Sequence, residues 1–170
     1  MIRLRPMTEA EFERFLAVSK DEYARDRARA LDTSLDEELA TAEQQFAELL
    51  KDGIHTADHR LWLVTLDRST PVGHLWVHVD PRSRRAFIYQ IRIDEEYRGK
   101  GYGKRTLELL EEELVAAGVT RISLNVFAPN HVARALYEKL GYRATSHSDP
   151  ALLTKAYGRP YNATSARVRS

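Results

Sequence analysis

The chain has 170 residues, of which 43% are hydrophobic and 30% charged, with a net charge of +1. That suits one globular domain able to bury a core, without the basic excess of a nucleic-acid-binding surface. With no cysteine at all, disulfides, thiolate metal sites and a cysteine nucleophile are excluded. No stretch reaches the ~18 apolar residues of a membrane span, and Met1 to Arg5 has no apolar leader core. A cytoplasmic protein is expected, with neither nucleic acid nor membrane as a partner.

In chain order, Ile2 to Arg5 alternates apolar and basic residues and predicts a short strand, ended by Pro6 and Met7. Thr8 with Glu11 is a capping box, opening a helix through Glu22 or beyond with Phe12, Phe15, Leu16 and Val18 as its apolar stripe. Tyr23 to Ala30 either continues that helix or forms a solvated segment. Ser34 with Glu37 repeats the capping signal. The helix it opens runs to about Leu50, with Leu39, Ala42, Phe46 and Leu49 on one face and Gly53 closing it. Leu61 to Leu66 reads as a buried strand and Val72 to Val79 as the next. The second presents Val72, His74, Trp76 and His78 on one face and Gly73, Leu75, Val77 and Val79 on the other.

Arg85 to Ile93 is the central strand. Asp94-Glu95-Glu96 turns the chain into a basic glycine loop, Arg98-Gly99-Lys100-Gly101-Tyr102-Gly103, which runs straight into a helix from Lys104 to Ala117. That helix carries Leu107, Leu110, Leu114 and Val115 inward and its glutamates toward water, with Gly118 as its C′ residue. A strand, Arg121 to Val126, leads to a helix capped by Asn130 and ended by Gly141. Tyr142 to Thr145 begins a further strand, and Leu152 to Tyr157 reads as a last, edge strand. One domain is expected over residues 1–157, followed by a polar, frayed tail over 158–170.

A strand, a glycine-rich loop and a helix N-terminus form an anion cradle, because successive backbone N–H groups and the helix dipole converge on one point. The ligand expected there is a phosphate or pyrophosphate, held by the N–H groups of Arg98 to Lys104 with Arg98, Lys100 and Lys104 as charge partners. A Walker A loop fails, since Arg98 occupies its first glycine position and Arg105 its hydroxyl position. A dinucleotide fingerprint fails too, with Lys104 where its third glycine belongs. The pattern that fits is Arg-x-x-Gly-x-Gly at Arg98, Gly101 and Gly103.

In that loop the chain resembles the GNAT superfamily of N-acetyltransferases. A second segment, N-x-x-A-x-x-x-Y-x-x-x-G-Y, is similar to another signature of the family and falls on Asn130, Ala133, Tyr137, Gly141 and Tyr142. The resemblance spans Ile2 to about Tyr157. It implies an α/β (α+β) fold, with a mixed, mostly antiparallel sheet flanked by helices and a V-shaped opening between two parallel strands. It also implies acetyl transfer from acetyl-CoA (coenzyme A) to a primary amine by direct attack. Backbone groups of Ile91 and Ile93 would hold the pantetheine arm and thioester carbonyl. Gly99, Lys100, Gly101, Tyr102, Gly103 and Lys104 would hold the pyrophosphate with Arg98. Asn130 and Ala133 would lie along the cofactor, and Tyr137 would be the general acid.

Asn130, Ala133 and Tyr137 fall at i, i+3 and i+7, one stripe of a helix. Some family members carry a carboxylate on the central strand as base, where the comparable side chains here are Tyr89, Gln90 and Arg92. Gln90 cannot act as a base, so Glu22, His74, His78, Asp80 or a water chain remain. Tyr23, Trp76 and Gln90 are expected on the acceptor side, with Arg25, Asp26 and Arg27 nearby. The acceptor is a small-molecule or peptide amine. Two alternatives stand beside this reading: acetylation of a protein lysine or N-terminus, and an acyl-CoA-binding module without catalysis. A homodimer is compatible with exposed edge strands.

Overall fold

The computed structural model describes residues 1–157; the tail expected at 158–170 lies outside them. Among the described residues seven strands form one sheet in the order β1-β2-β3-β4-β5-β7-β6: β1 (Ile2–Pro6), β2 (His59–Leu66), β3 (Thr70–Asp80), β4 (Arg85–Ile93), β5 (Arg121–Val126), β6 (Arg143–Ala144) and β7 (Ala151–Ala156). Every neighbouring pair is antiparallel except β4 with β5. Helices α1 (Glu9–Leu31) and α2 (Leu35–Leu49) cover one face, and α3 (Tyr102–Ala116) and α4 (His131–Lys139) pack on the other. No described helix is long and apolar enough to cross a membrane.

The helix starts follow their capping signals. Thr8 Oγ1 accepts from Glu11 N–H at 3.3 Å while Glu11 Oε1 accepts from Thr8 N–H at 2.9 Å. Arg5 adds a two-point bond to the same carboxylate, at 2.9 and 2.8 Å, and so ties β1 to α1. Of the two readings of Tyr23 to Ala30, the helical one holds: α1 continues to Leu31 and stops at Asp32 in the left-handed region. Ser34 caps α2 through Glu37 N–H. That helix ends at Leu50 instead of Gly53, which opens a short 3-10 turn. Gly118 closes α3 as expected, its N–H bonding Val115 O while Val119 N–H bonds Leu114 O.

Five sequence expectations change. Val72 does not share a face with His74 and Trp76. A bulge sets Gly73 opposite Val64 and Pro71 opposite Thr65, and the extra residue turns Val72 into the core of Leu75, Val77 and Val79. Val18 and Val115 are exposed instead of packed inward. Glu111 is buried instead of facing water: the Tyr142 hydroxyl donates to it at 2.9 Å and Lys155 Nζ at 3.2 Å. The strand expected from Tyr142 to Thr145 shortens to two residues. Finally, β7 is an interior strand between β5 and β6, so the edges are β1 and β6.

Candidate active site

The site begins where the sheet opens. β4 and β5 pair over only four residues, Arg85 to Ile88 with Arg121 to Leu124. Beyond that point Gln90 to Ile93 keep β3 as their partner on one side and, among the described residues, have no strand on the other. A bulge at Tyr89, between the pairs Val77–Ile88 and Trp76–Gln90, bends β4 away at this point. Gly73 permits a close approach of β3 there, since a Cβ on it would lie 2.0 Å from Arg92 O.

The opening leads into a cavity of about 750 Å³ lined from both layers. α1 and α2 contribute Tyr23, Asp26, Arg27 and Phe46; the sheet contributes Trp76, Tyr89, Gln90 and Ile91; Asn130 and Tyr137 come from the α4 side. Six expected site residues (Tyr23, Trp76, Gln90, Ile91, Asn130 and Tyr137) therefore meet around one space. Ile93, Ala133 and the glycine loop do not line it. The loop sits at the end of β4, where a Cβ on Gly103 would lie 3.8 Å from Ile93 Cγ1 and from Leu136 Cδ2.

The loop has the geometry of a cradle. Gly99 and Gly101 have φ of 75° and 83°, a region that favours glycine, and nothing lies within 4 Å of a Cβ built on either. Among the described residues the backbone N–H groups of Gly99 to Lys104 have no acceptor; the first bond of α3 is Arg105 N–H to Gly101 O, at 3.1 Å. These free donors with the start of the α3 dipole fit a diphosphate. Arg98 is exposed, and its Nε donates to Ile93 O at 2.8 Å, so that carbonyl already has a partner. Lys100 and Lys104 are exposed.

Tyr137 is 8% exposed and packs edge-on against Tyr142, ring centroids 6.0 Å apart. Burial pushes its phenol up to about 12, so the group carries its proton at neutral pH. Asn130 caps α4 by accepting from Ala133 N–H at 3.3 Å. Gln90 accepts from Ser19 Oγ at 2.7 Å and lies 3.1 Å from His74 Nε2. Of the groups considered as base, Glu22 alone opens on the cavity, where it is paired with Arg92. His74 is buried, which lowers its affinity for a proton, and lines a separate small cavity under α1. His78 packs on His59, and Asp80 is spent on the Arg82–Ser83 turn.

Arg27 is held by Glu38, Asp26 by Arg29, and Tyr23 bonds Gln45; Arg25 pairs with Asp21 off the cavity. Asn125 and Asp149 also line the space and were not anticipated. Asp149 reaches it from the loop before β7 and accepts from Ala128 N–H at 2.9 Å, a contact across 21 residues that no local pattern announces.

The model of the acetyltransferase (GNAT) family matches residues 12–142. The chain belongs to the GNAT family of acetyltransferases. The uncharacterized N-acetyltransferase YycN of Bacillus subtilis (strain 168) is 37% identical over 146 residues, 85% of this chain and 94% of that protein. YdgE of the same organism, also an uncharacterized N-acetyltransferase, is 34% identical over 84% of this chain and 92% of its own length. The crystal structure of YycN superposes with a TM-score of 0.83, covering 87% of this chain and 96% of that one. The PaiA N-acetyltransferase from Thermoplasma acidophilum, in complex with coenzyme A, shares the fold with a TM-score of 0.70 at 21% identity, covering 92% of this chain and 99% of that one. As a GNAT enzyme the chain is an N-acetyltransferase, and its mixed seven-stranded sheet with four helices is the fold of that family.

Proposed function

We propose that this GNAT chain transfers an acetyl group from acetyl-CoA to a small primary amine that enters the cavity from the α1–α2 side. The observation that carries the reading is the parting of β4 from β5, with unpaired N–H donors at one end and a buried, protonated tyrosine within. The backbone of Gly99 to Lys104 would hold the pyrophosphate, and the free edge of β4 at Ile91 the pantetheine arm. Bound acetyl-CoA supplies an acyl group activated as a thioester.

The protein's own part is positioning and proton control. Tyr137 Oη keeps a proton at neutral pH and is the donor for the departing sulfur. The ammonium's proton leaves through Glu22 or the solvent filling the cavity, since an amine of pKa ~10.4 attacks only when neutral. Tyr23 and Tyr89 offer aromatic faces, Tyr89 backed by Trp76, and Asp149 adds a carboxylate without an ion-pair partner among the described residues, a combination that draws in a cation. That lining favours a small amine over a protein lysine or N-terminus.

Calorimetric titration with acetyl-CoA tests the cofactor half. The native chain binds and Gly101→Glu does not, while Gly101→Ala, which carries the backbone strain without the charge, binds more weakly. Tyr137→Phe tests the chemistry: acetyl-CoA still binds, and kcat in an amine screen falls by roughly 100-fold or more. Loss of binding in Tyr137→Phe, or equal binding by native and Gly101→Glu proteins, overturns the assignment.

A further inference from the structure

Trp76 lies in the middle of β3, 3% exposed, its indole forming part of the cavity wall. The ring stacks on Tyr89, centroids 4.5 Å apart and planes 20° apart, and touches Phe46 and Phe15 from the helices above. Its one polar atom, Nε1–H, can only donate, and it donates to His59 Nδ1 at 2.9 Å. An indole never accepts. His59 Nδ1 must therefore be the bare nitrogen of its ring, with the proton on Nε2. An imidazolium has N–H at both positions, so charging His59 sets one donor against another and leaves the buried indole without an acceptor.

His59 stands outside the cavity, at the start of β2. From β3 the His78 ring faces it at 4.8 Å, and from β4 the Tyr89 ring at 5.9 Å. Asp58 precedes it in the turn before β2, and Asp80 lies beyond His78 at the end of β3. Burial is the main influence on His59 and the His78 charge the next; both hold its pKa below the ordinary histidine value, against an opposing pull from Asp58. At neutral pH the ring is uncharged and the bond to Trp76 is made.

We propose that His59 is a positioning residue for the acceptor wall: its bare Nδ1 locks the Trp76 indole against Tyr89, and a proton gained there releases the indole and weakens amine binding. The consequence for turnover rests on the acceptor cavity proposed above. The effect falls on the amine KM, because Tyr137 stands on another wall and the glycine loop lies outside the cavity, so both keep their contacts.

The test uses the full chain labelled with nitrogen-15. Trp62 and Trp76 are its two tryptophans, and Trp62→Phe assigns the two indole N–H signals. Between about pH 8 and about pH 5 the Trp76 signal should move on one curve with the His59 ring. In His59→Asn, whose Oδ1 replaces Nδ1 as acceptor without titrating, the signal should stay fixed. In His59→Leu it should sit at the unbonded position throughout. In an assay of thiol release with phenethylamine, the native amine KM should rise roughly tenfold across that range, the size expected for one buried donor losing its acceptor. Asn should hold the neutral-pH value and Leu the acid one, with acetyl-CoA KM unchanged in all three. A Trp76 signal that ignores pH, or that follows His78 and loses its titration in His78→Asn, overturns the proposal. So does an amine KM that is equal in native and Leu proteins at about pH 8. Absence of turnover would instead refute phenethylamine as an acceptor, and the indole titration would still decide whether His59 holds Trp76.

Discussion

Lys155 Nζ and the Tyr142 hydroxyl both converge on Glu111, and the Tyr142 ring is the surface against which Tyr137 packs. Burial, with the Glu111 carboxylate beside it, pushes the Tyr142 phenol well above the usual tyrosine range, so it stays a donor at any working pH. Removing the shared acceptor strands both donors. Glu111→Ala should lower unfolding free energy by ~2–3 kcal/mol, against ~1 kcal/mol for Tyr142→Phe, which leaves the Glu111–Lys155 pair intact. Urea unfolding measures both. A loss of the same size in the two variants would mean that the ion pair contributes nothing.

At the scale of elements, the junction between β1 and α1 depends on one carboxylate. Glu11 closes the capping box and receives two bonds from Arg5, which, with the backbone bond from Thr8, brings its pKa down to about 2. The unfolded value is higher, ~4.3. Between the two the unfolded chain binds more protons, so this contribution is full above the unfolded value and is lost as pH falls through about 2. Because Arg5 is 39% exposed, the effect should be only ~1 kcal/mol. Urea midpoints followed from about pH 5 downward should fall more steeply for the native chain than for Glu11→Gln. Parallel curves would show that the cap and ion pair do not stabilise the junction.

Considered whole, the molecule is two slabs of sheet, β1 to β4 and β5 to β7, joined by four residue pairs and by α3. A ligand lying in the gap contacts both slabs and stabilises only the folded state. At acetyl-CoA one hundred times its Kd the gain is ~2.7 kcal/mol, or about 5–10 °C in Tm for a chain of this size. Differential scanning fluorimetry should show that rise in the native chain and none in Gly101→Glu. A shift that survives in the variant would place the ligand elsewhere.

What the sequence determined is whatever closes within a few residues. The glycine loop, the Thr8, Ser34 and Asn130 caps, the Gly118 stop and the period of each helix are satisfied by neighbours in the chain, so short patterns specify them. The two family signatures were legible for the same reason, and they brought Asn130 and Tyr137 into view together. What only the tertiary structure decided are contacts between distant residues: Glu22 with Arg92, Ser19 with Gln90, Glu111 with Lys155, Trp76 with His59. The inward turn of Val72 and the interior place of β7 belong to the same class, because strand register and order are set by which surfaces bury one another. A pattern read along one strand carries the alternation of its side chains, and the partner strand decides where that alternation breaks.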